Sequence, residues 1–324
     1  MIRTPFCELL GIAHPLALGG MGSIFSPPMV SAVSEAGGLG ALGCHRLSAD
    51  QIRSAVQAIR ERTDKPFALN FLLFAVSEEP FAAALAARPE VLAFAWPRGA
   101  QELKPFIERA HAIGAKVTFM VSDVAGATRA VDAGADVIVA QGTEGGGHVG
   151  WMTSLTLTPM VVDAVAPVPV LCAGGIADGR GLAAALALGA SGVLLGTRFL
   201  ASEESPLHEN FKRAIVQSDG HDTMLTEIPD IAAGIVWPGA MSRGRRNRFM
   251  ERWAGREWLL RQRQAEALAA VQAARRAGDP DEAPLSYGQD AGLIGEILPA
   301  ADIVRRIVSD AERILTETLP GLIR

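Results

Sequence analysis

The chain has 324 residues, of which 49% are hydrophobic and 20% charged, and its net charge is −5. This length and apolar content allow one large α/β domain with a substantial core, and they exclude a disordered chain. The acidic balance argues against nucleic acid or an anionic membrane surface as a partner, so we expect a small-molecule partner.

The three cysteines, Cys7, Cys44 and Cys172, are far apart in the sequence and show no C-x-x-C spacing. This spacing argues against a disulfide framework and against a zinc site, and no metal is expected. Residues 1–10 include Pro5 and Glu8 where a signal peptide needs an apolar core. The longest apolar stretch, residues 181–196, is too short to span a membrane. We therefore expect a cytoplasmic protein.

From residue 15 to residue 200, short apolar runs alternate with amphipathic, alanine-rich segments. This alternation is typical of βα units around a parallel sheet. The runs predict eight strands, at residues 15–19, 39–42, 67–71, 91–94, 116–121, 136–140, 168–172 and 192–195. Eight such units favour a (β/α)8 TIM barrel.

Helix boundaries in this region carry their usual signals. Ser48-Ala-Asp-Gln51 resembles a capping box, and Ala-Gly pairs at 36–37 and 133–134 predict helix ends before the next strand. A Gly-Ala pair also precedes the strands predicted at 116–121, 136–140 and 192–195. We interpret these repeats as structural, since they define the barrel and not its reaction.

After residue 199 the pattern changes to a polar stretch at 202–222, an arginine-rich segment at 242–274 and a loop at 278–284. We predict one amphipathic helix over 242–274, with its aromatic residues packed and its arginines on a charged face, because acidic residues interrupt the run. A final helix is predicted over 300–315. The expected organisation is a barrel of residues 1–200 completed by about 295–324, with a helical cap or lid of residues 201–294 inserted after strand eight.

The most informative segment is residues 141–150, in which a single histidine, His148, lies among five glycines directly after a predicted strand. Loops at the carboxyl ends of barrel strands carry the chemistry of α/β folds, and glycines allow the backbone to approach a ligand closely. A solvated surface turn would look similar when considered alone. The other glycine loops of the chain favour the functional interpretation.

Glycine-rich segments also follow the last two predicted strands, which is the usual phosphate position in TIM barrels. The amides of Gly174, Gly175, Gly196 and Thr197 are candidates for an oxyanion. Near the N-terminus, Gly20 and Met21 follow strand one, and Asn70 ends strand three. Close backbone approach and an amide side chain there would suit a flat ring with N–H and C=O edges.

Other cofactor and catalytic motifs are missing from the sequence. Residues 174–181 are not a dinucleotide fingerprint, because no suitable acidic residue ends a following strand about twenty positions later. No Walker A lysine, zincin motif or nucleophile elbow is present. Three glycine loops with one histidine favour a phosphate-anchored cofactor that brings its own chemistry. FMN fits this description.

The motifs at Gly19-Gly-Met21, Asn70-Phe71, Gln141–His148, Ala173–Asp178 and Gly196-Thr-Arg-Phe199 together resemble the nitronate monooxygenase family. The resemblance runs in order from about residue 5 to residue 200 and returns at Tyr287–Leu293. It implies an FMN-containing TIM barrel with a helical cap that oxidises alkyl nitronates with dioxygen.

The resemblance also implies roles for individual residues. His148 would be the active-site histidine. Gly20, Met21 and Asn70 would contact the flavin ring, Gln141 and Gly142 its middle, and Gly174, Gly175, Gly196 and Thr197 its phosphate, while Gln289 matches a C-terminal glutamine. The cap shows no motif that identifies a substrate.

Two other functions remain open at this point. Related flavin-dependent enoyl-ACP reductases and NADH:quinone reductases share the Glu144–His148 pattern, so an NAD(P)H-dependent reductase acting on a quinone or an enoyl thioester is the first alternative. A barrel that binds a phosphorylated ligand without redox chemistry is the second. Apolar faces of the alanine-rich helices would also permit a homodimer.

Overall fold

The computed structural model describes residues 1–22 and 24–322. Eight parallel strands form one sheet in the order β1-β9-β8-β6-β5-β4-β3-β2. A parallel bridge between Ala17 and Leu39 joins the first and last strands and closes the ring. The barrel strands are β1 (Leu16–Leu18), β2 (Gly40–Gly43), β3 (Phe67–Leu72), β4 (Val91–Ala95), β5 (Lys116–Val121), β6 (Val137–Gln141), β8 (Val170–Ala173) and β9 (Gly192–Leu195).

Each of these strands overlaps one of the eight predicted from apolar runs, so the predicted TIM barrel is confirmed. A second, three-stranded antiparallel sheet joins β10, β11 and β7. Its strands are β7 (Gly147–Val149), β10 (Thr223–Thr226) and β11 (Met241–Arg245). This small sheet connects the loop after β6 to residues that lie far away in the sequence.

Helices alternate with the barrel strands. Those up to the last barrel strand are α1 (Pro5–Leu10), α2 (Pro27–Glu35), α3 (Ala49–Arg60), α4 (Glu78–Ala86), α5 (Lys104–Ala112), α6 (Val124–Asp132), α7 (Ser154–Val165) and α8 (Gly179–Ala187). Those after it are α9 (Thr197–Leu200), α10 (Glu209–Val216), α11 (Ile228–Ala233), α12 (Arg248–Trp253), α13 (Glu257–Gln262), α14 (Gln264–Ala277) and α15 (Ala300–Arg313). Short 3₁₀ turns lie at Leu73–Ala75, Gln289–Leu293 and Pro320–Leu322, and a π turn at Ile314–Thr318 follows α15.

Two helix boundaries that the sequence predicted are present in the structure. Ser48 and Gln51 form a reciprocal capping box at the start of α3, which satisfies backbone donors that the first helical turn leaves unpaired. Helix α6 ends at Ala133, and Gly134 then adopts a φ of 106°, a conformation that residues with a β-carbon rarely reach. The chain can therefore turn directly into β6.

The barrel has an inner and an outer core. Side chains alternate along each strand, so Ala68, Val137 and Val139 belong to the inner cluster, while Phe67, Leu69 and Ile138 pack against the helices. Each fully buried leucine or phenylalanine of the outer layer contributes roughly 1.5–3 kcal/mol through burial. Asn70 lies two residues after Ala68 in β3, and Gln141 lies two residues after Val139 in β6. The same alternation therefore directs both side chains into the barrel.

The two ends of the barrel differ. Phe6 and Leu10 of α1 belong to the inner cluster and cover the end at which the strands begin. Helix α15, which the sequence predicted as a final helix, packs against α8 and α2 on the outside of the barrel. The opposite end, where the strands finish, is reached by loops from both the barrel and the segment that follows it.

The prediction of one helix over 242–274 is wrong. Residues 241–245 form β11 between β10 and β7, and Arg243 is a buried strand residue and not part of a charged helix face. The remainder is divided into α12, α13 and α14, because Asn247 caps α12 and Gly255 at a φ of 73° follows it. Phe249 and Trp253 are buried in a separate apolar cluster as expected, whereas Trp258 is exposed.

The cysteines are free and buried. Across residues 1–22 and 24–322, no helix combines the length and the apolar character needed to cross a membrane.

Candidate active site

Glycine loops from several strands meet at the carboxyl end of the barrel. A β-carbon at Gly20 would lie 2.3 Å from Cβ of Asn70, so the loop after β1 rests directly on the end of β3. The loop also reaches the end of β9, because a β-carbon at Gly196 would lie 3.7 Å from the sulfur of Met21. Three separate parts of the sequence thus line one side of the barrel mouth.

The loops after β6 and β8 form the other side of the mouth. The amide of Gly142 donates a hydrogen bond to the carbonyl of Ala173 at 2.8 Å. A β-carbon at Gly174 would lie 2.9 Å from the carbonyl oxygen of Gly142, and one at Gly175 would lie 2.8 Å from Cγ of Glu144. Larger residues would force these two loops apart, which explains the run of glycines.

Gln141, the last residue of β6, has a buried side-chain oxygen without a hydrogen-bond partner. An unpaired buried amide oxygen costs about 1–3 kcal/mol, so native proteins rarely retain one without a role. The atom lies at the barrel mouth among the glycine loops. A ligand carrying an N–H or O–H group would satisfy it.

The segment around residue 288 completes the mouth. The amide of Gly288 donates to the hydroxyl of Thr197 at 3.0 Å, and the amide of Gln289 donates to the carbonyl of Glu144 at 2.9 Å. The side chain of Gln289 is exposed, so this residue joins the site through its backbone. A β-carbon at Gly196 would meet only the sulfur of Met21, which leaves open space beside Thr197.

Asp290 is a buried carboxyl group next to this segment. Its side chain is only 5% exposed, and its Oδ1 has no hydrogen-bond partner. Burial, opposed by a hydrogen bond from Thr197 and reinforced by the charge of Glu144, raises the pKa of Asp290 to about 7. No motif in the sequence pointed to Asp290, although it lies next to Gln289.

His148 lies on β7 and is held by a carboxylate from a distant part of the chain. Its Nε2 is 3.0 Å from Oδ1 and 2.9 Å from Oδ2 of Asp230, which belongs to α11. The histidine and aspartate side chains are 17% and 9% exposed. Pairing of β7 with β11, in which His148 lies opposite Ser242, brings the histidine up to these later residues.

The indole of Trp237 covers one face of the His148 ring. The two ring centroids are 3.4 Å apart and the planes differ by 1°. Phe74 and Trp96 contact the same indole edge-on, at centroid distances of 4.7 and 6.0 Å. This aromatic cluster excludes water from one side of the histidine and restricts its rotation.

Glu144 and Arg243 fix the loop that carries His148. The Glu144 carboxylate accepts hydrogen bonds from the backbone amide and the hydroxyl of Ser154 at the start of α7. Arg243 donates to the carbonyl of Thr143 at 2.9 Å and to the hydroxyl of Thr223 at 3.2 Å. Desolvation lowers the pKa of Arg243, and the charge of Glu144 partly compensates. These hydrogen bonds tie the glycine loop to α7 and to the small antiparallel sheet.

A cavity of about 440 Å³ lies beside the aromatic cluster. His45, Phe71 and Phe74 line it, together with Arg46 and Arg98. Both arginine side chains are exposed, and Arg98 donates a hydrogen bond to the carbonyl of Phe74 at 3.2 Å. Burial lowers the pKa of His45, and the charges of Arg46 and His148 lower it further. The lining of the cavity therefore mixes apolar side chains with two exposed arginines.

The structure brings most of the predicted site residues to one end of the barrel. Gly20, Met21 and Asn70 lie on one side of the mouth, Gln141, Gly142, Gly174 and Gly175 lie on the other, and Gly196, Thr197 and the backbone of Gln289 complete the ring. Asp230, Trp237 and His45 were missed. Asp230 is 82 residues away from His148, so no spacing in the sequence could indicate their contact. Among residues 1–22 and 24–322, no cluster of three or more potential metal ligands occurs.

The chain is similar to several known proteins. A family model described as "Nitronate monooxygenase" matches residues 3–96 and 82–310. A "(3aS,4S,5R,7aS)-5-hydroxy-7a-methyl-1-oxo-octahydro-1H-indene-4-carboxyl-CoA dehydrogenase" from Rhodococcus jostii (strain RHA1) is 30% identical and covers 96% of each chain. A "Probable nitronate monooxygenase" from Staphylococcus saprophyticus subsp. saprophyticus is 32% identical, covering 78% of this chain and 81% of the relative. The solved structure of FabK from Thermotoga maritima superposes with a TM-score of 0.89, at 35% identity and full coverage of both chains.

Proposed function

This chain belongs to the nitronate monooxygenase family of oxidoreductases, and we propose that it oxidises alkyl nitronates with dioxygen, using FMN and His148. The observation that carries the proposal is the placement of a carboxylate-bound histidine at a mouth lined by glycine loops. The adjoining cavity of about 440 Å³ has room for a small-molecule substrate. The free, buried cysteines are in keeping with a reducing compartment such as the cytoplasm.

The residues at the barrel mouth fit FMN. The unpartnered oxygen of Gln141 would accept a hydrogen bond from the ring, and the exposed space at Gly196 would admit a phosphate to the nearby amides. In this proposal Gly20, Met21 and Asn70 hold the ring, Gln141 and Gly142 its middle, Gly174, Gly175, Gly196 and Thr197 the phosphate, and Gln289 contributes through its backbone. When bound, FMN supplies the electron-transfer chemistry that protein side chains lack.

The chain's own contribution is to hold the substrate and manage a proton. An imidazole has one nitrogen that can accept a proton and one N–H that can donate a hydrogen bond, so His148 is suited to donate to a nitronate oxygen or, with the neutral nitroalkane, to take the proton from the carbon beside the nitro group. The stacked indole of Trp237 keeps water from one face of the imidazole. The aromatic cluster would also exclude water from the apolar part of a small substrate.

The test is anaerobic stopped-flow absorbance of the FMN-loaded protein mixed with an alkyl nitronate. We expect the nitronate alone to bleach the flavin, and His148→Gln to slow bleaching by about 100-fold or more with the flavin still bound. Thr156→Ala, on the exposed surface of α7, serves as a matched control. Bleaching at the wild-type rate in His148→Gln would refute the assigned role.

A thioester reductase or dehydrogenase is the second candidate function. The cavity beside the aromatic cluster is lined by apolar side chains and by the exposed arginines Arg46 and Arg98, which would suit an apolar acyl group carried on an anionic thioester. The name of the Rhodococcus jostii relative refers to a carboxyl-CoA compound, which supports this alternative. Rapid anaerobic bleaching by NADH or NADPH, reversed by an enoyl thioester, together with no bleaching by nitronate, would favour it.

A further inference from the structure

His148 and Asp230 form a pair whose geometry constrains the position of the proton on the imidazole. Both oxygens of Asp230 lie within 3.0 Å of Nε2 of His148, and an ionised carboxylate can only accept hydrogen bonds. Nε2 must therefore carry a hydrogen. In the neutral imidazole the second nitrogen, Nδ1, is then the unprotonated one.

The surroundings leave one nitrogen available for proton exchange. Nε2 is engaged by Asp230, and one ring face is covered by Trp237 at a centroid distance of 3.4 Å. Among residues 1–22 and 24–322, no residue forms a hydrogen bond with Nδ1, and Nδ1 is not one of the buried side-chain atoms that lack a partner. A substrate therefore has access to the Nδ1 edge of the ring.

We propose that Asp230 is a positioning residue that fixes the Nε2–H tautomer of His148, so that Nδ1 is the atom that exchanges the substrate proton. The proposal rests on the proposed proton-transfer function of His148. With the neutral nitroalkane that is the conjugate acid of a nitronate, the C–H bond beside the nitro group breaks, its proton binds the Nδ1 lone pair, and the electron pair stays on the substrate, which becomes the nitronate. The imidazole becomes an imidazolium, whose charge Asp230 stabilises without itself taking a proton.

This role differs from that of an ordinary surface ion pair. Asp230 belongs to α11 and reaches a histidine on β7, so a residue from beyond the last barrel strand completes the site. Both side chains are largely buried, and low solvent access strengthens their interaction relative to an exposed pair. The tautomer, and not only the ring position, therefore depends on the carboxylate.

The test compares Asp230→Asn and Asp230→Ala with Glu227→Gln, a control on the same segment whose carboxylate pairs with exposed Arg261. Asparagine keeps the shape but can turn its NH₂ group toward Nε2 and favour the Nδ1–H tautomer. With the neutral nitroalkane as substrate, we expect kcat of both Asp230 variants to fall about 100-fold or more, while KM changes less than about threefold. Asp230→Glu should recover part of the lost kcat, and the control should behave as wild type.

A second readout does not depend on turnover. In protein labelled with ¹⁵N-histidine, the ring signals of His148, identified by their loss in His148→Gln, report which nitrogen carries the proton. We expect Nε2–H in the wild type and a shift toward Nδ1–H in Asp230→Asn. Retention of the wild-type tautomer and kcat in both variants would overturn the proposal. If no substrate bleached the flavin, the proposed function would fail, and the tautomer signals would still test the role of Asp230.

Discussion

Asp290 makes the stability of this protein depend on pH, and the direction of that dependence can be worked out from its surroundings. The buried carboxyl has a pKa of about 7 in the folded chain against a reference value of 3.8, chiefly because burial disfavours the charged form. The folded state therefore binds the proton more tightly than the unfolded state. The stabilising contribution is complete below about pH 4 and is lost as the pH rises through about 7.

One pKa unit corresponds to about 1.4 kcal/mol, so the contribution of Asp290 should fall by roughly 2 kcal/mol between about pH 5 and pH 7. Asp290→Asn keeps the shape and removes the titration. The free energy of unfolding of this variant, minus that of the wild type, should therefore rise by up to about the same amount between pH 5 and pH 7. The gain should level off above pH 7, where the wild-type carboxyl is ionised.

The assay is urea unfolding of the cofactor-free protein, followed by tryptophan fluorescence at several pH values between about 5 and 8. Asp163→Asn, at an exposed position on α7, is the control and should follow the wild-type profile. Parallel stability curves for wild type and Asp290→Asn would refute the reasoning, because they would mean that burial does not hold a proton on this carboxyl group.

Two further predictions concern the barrel mouth. The β-carbon added in Gly196→Ala would meet only the sulfur of Met21, at 3.7 Å. The free energy of unfolding of the cofactor-free variant should therefore stay within about 0.5 kcal/mol of the wild-type value. FMN affinity measured by fluorescence titration should fall at least tenfold. Gly295→Ala, which also has open space, is the matched control, and equal FMN affinity in both variants would contradict the proposed phosphate position. Tyr287→Phe removes a 2.6 Å hydrogen bond to Asp222, so urea unfolding should show a loss of about 1–3 kcal/mol, and unchanged stability would argue against that bond.

The barrel could be predicted because each of its strands has a local signal. Apolar runs such as residues 67–71 and 116–121 predict a strand from their own composition, without knowledge of the strands that pair with it, and most of their side chains are buried in the fold. Capping at Ser48 and the glycine after α6 are likewise local, since their hydrogen bonds and dihedral angles involve adjacent residues. The wrong prediction over 242–274 arose because β11 is a strand only through its pairing with β7 and β10.

The candidate site divides in the same way. Glycine loops and His148 were recognisable in the sequence, because each follows a strand and carries an unusual local composition. Gln141 was identified as a site residue, but its unpaired oxygen became apparent only in the folded chain. His45 and the adjoining arginines gave no signal in the sequence, since their shared cavity is formed by loops that are distant along the chain.

The sequence by itself determined the eight-stranded barrel, the family and the loops that form the mouth, since periodicity, glycine placement and motif order are properties of neighbouring residues. Only the tertiary structure decided that Asp230 binds His148, that Trp237 stacks on it, and that Asp290 is buried without a counter-charge. Those contacts join residues tens of positions apart or depend on burial. They arise from packing of the segment after β9 onto the barrel, which no local pattern encodes.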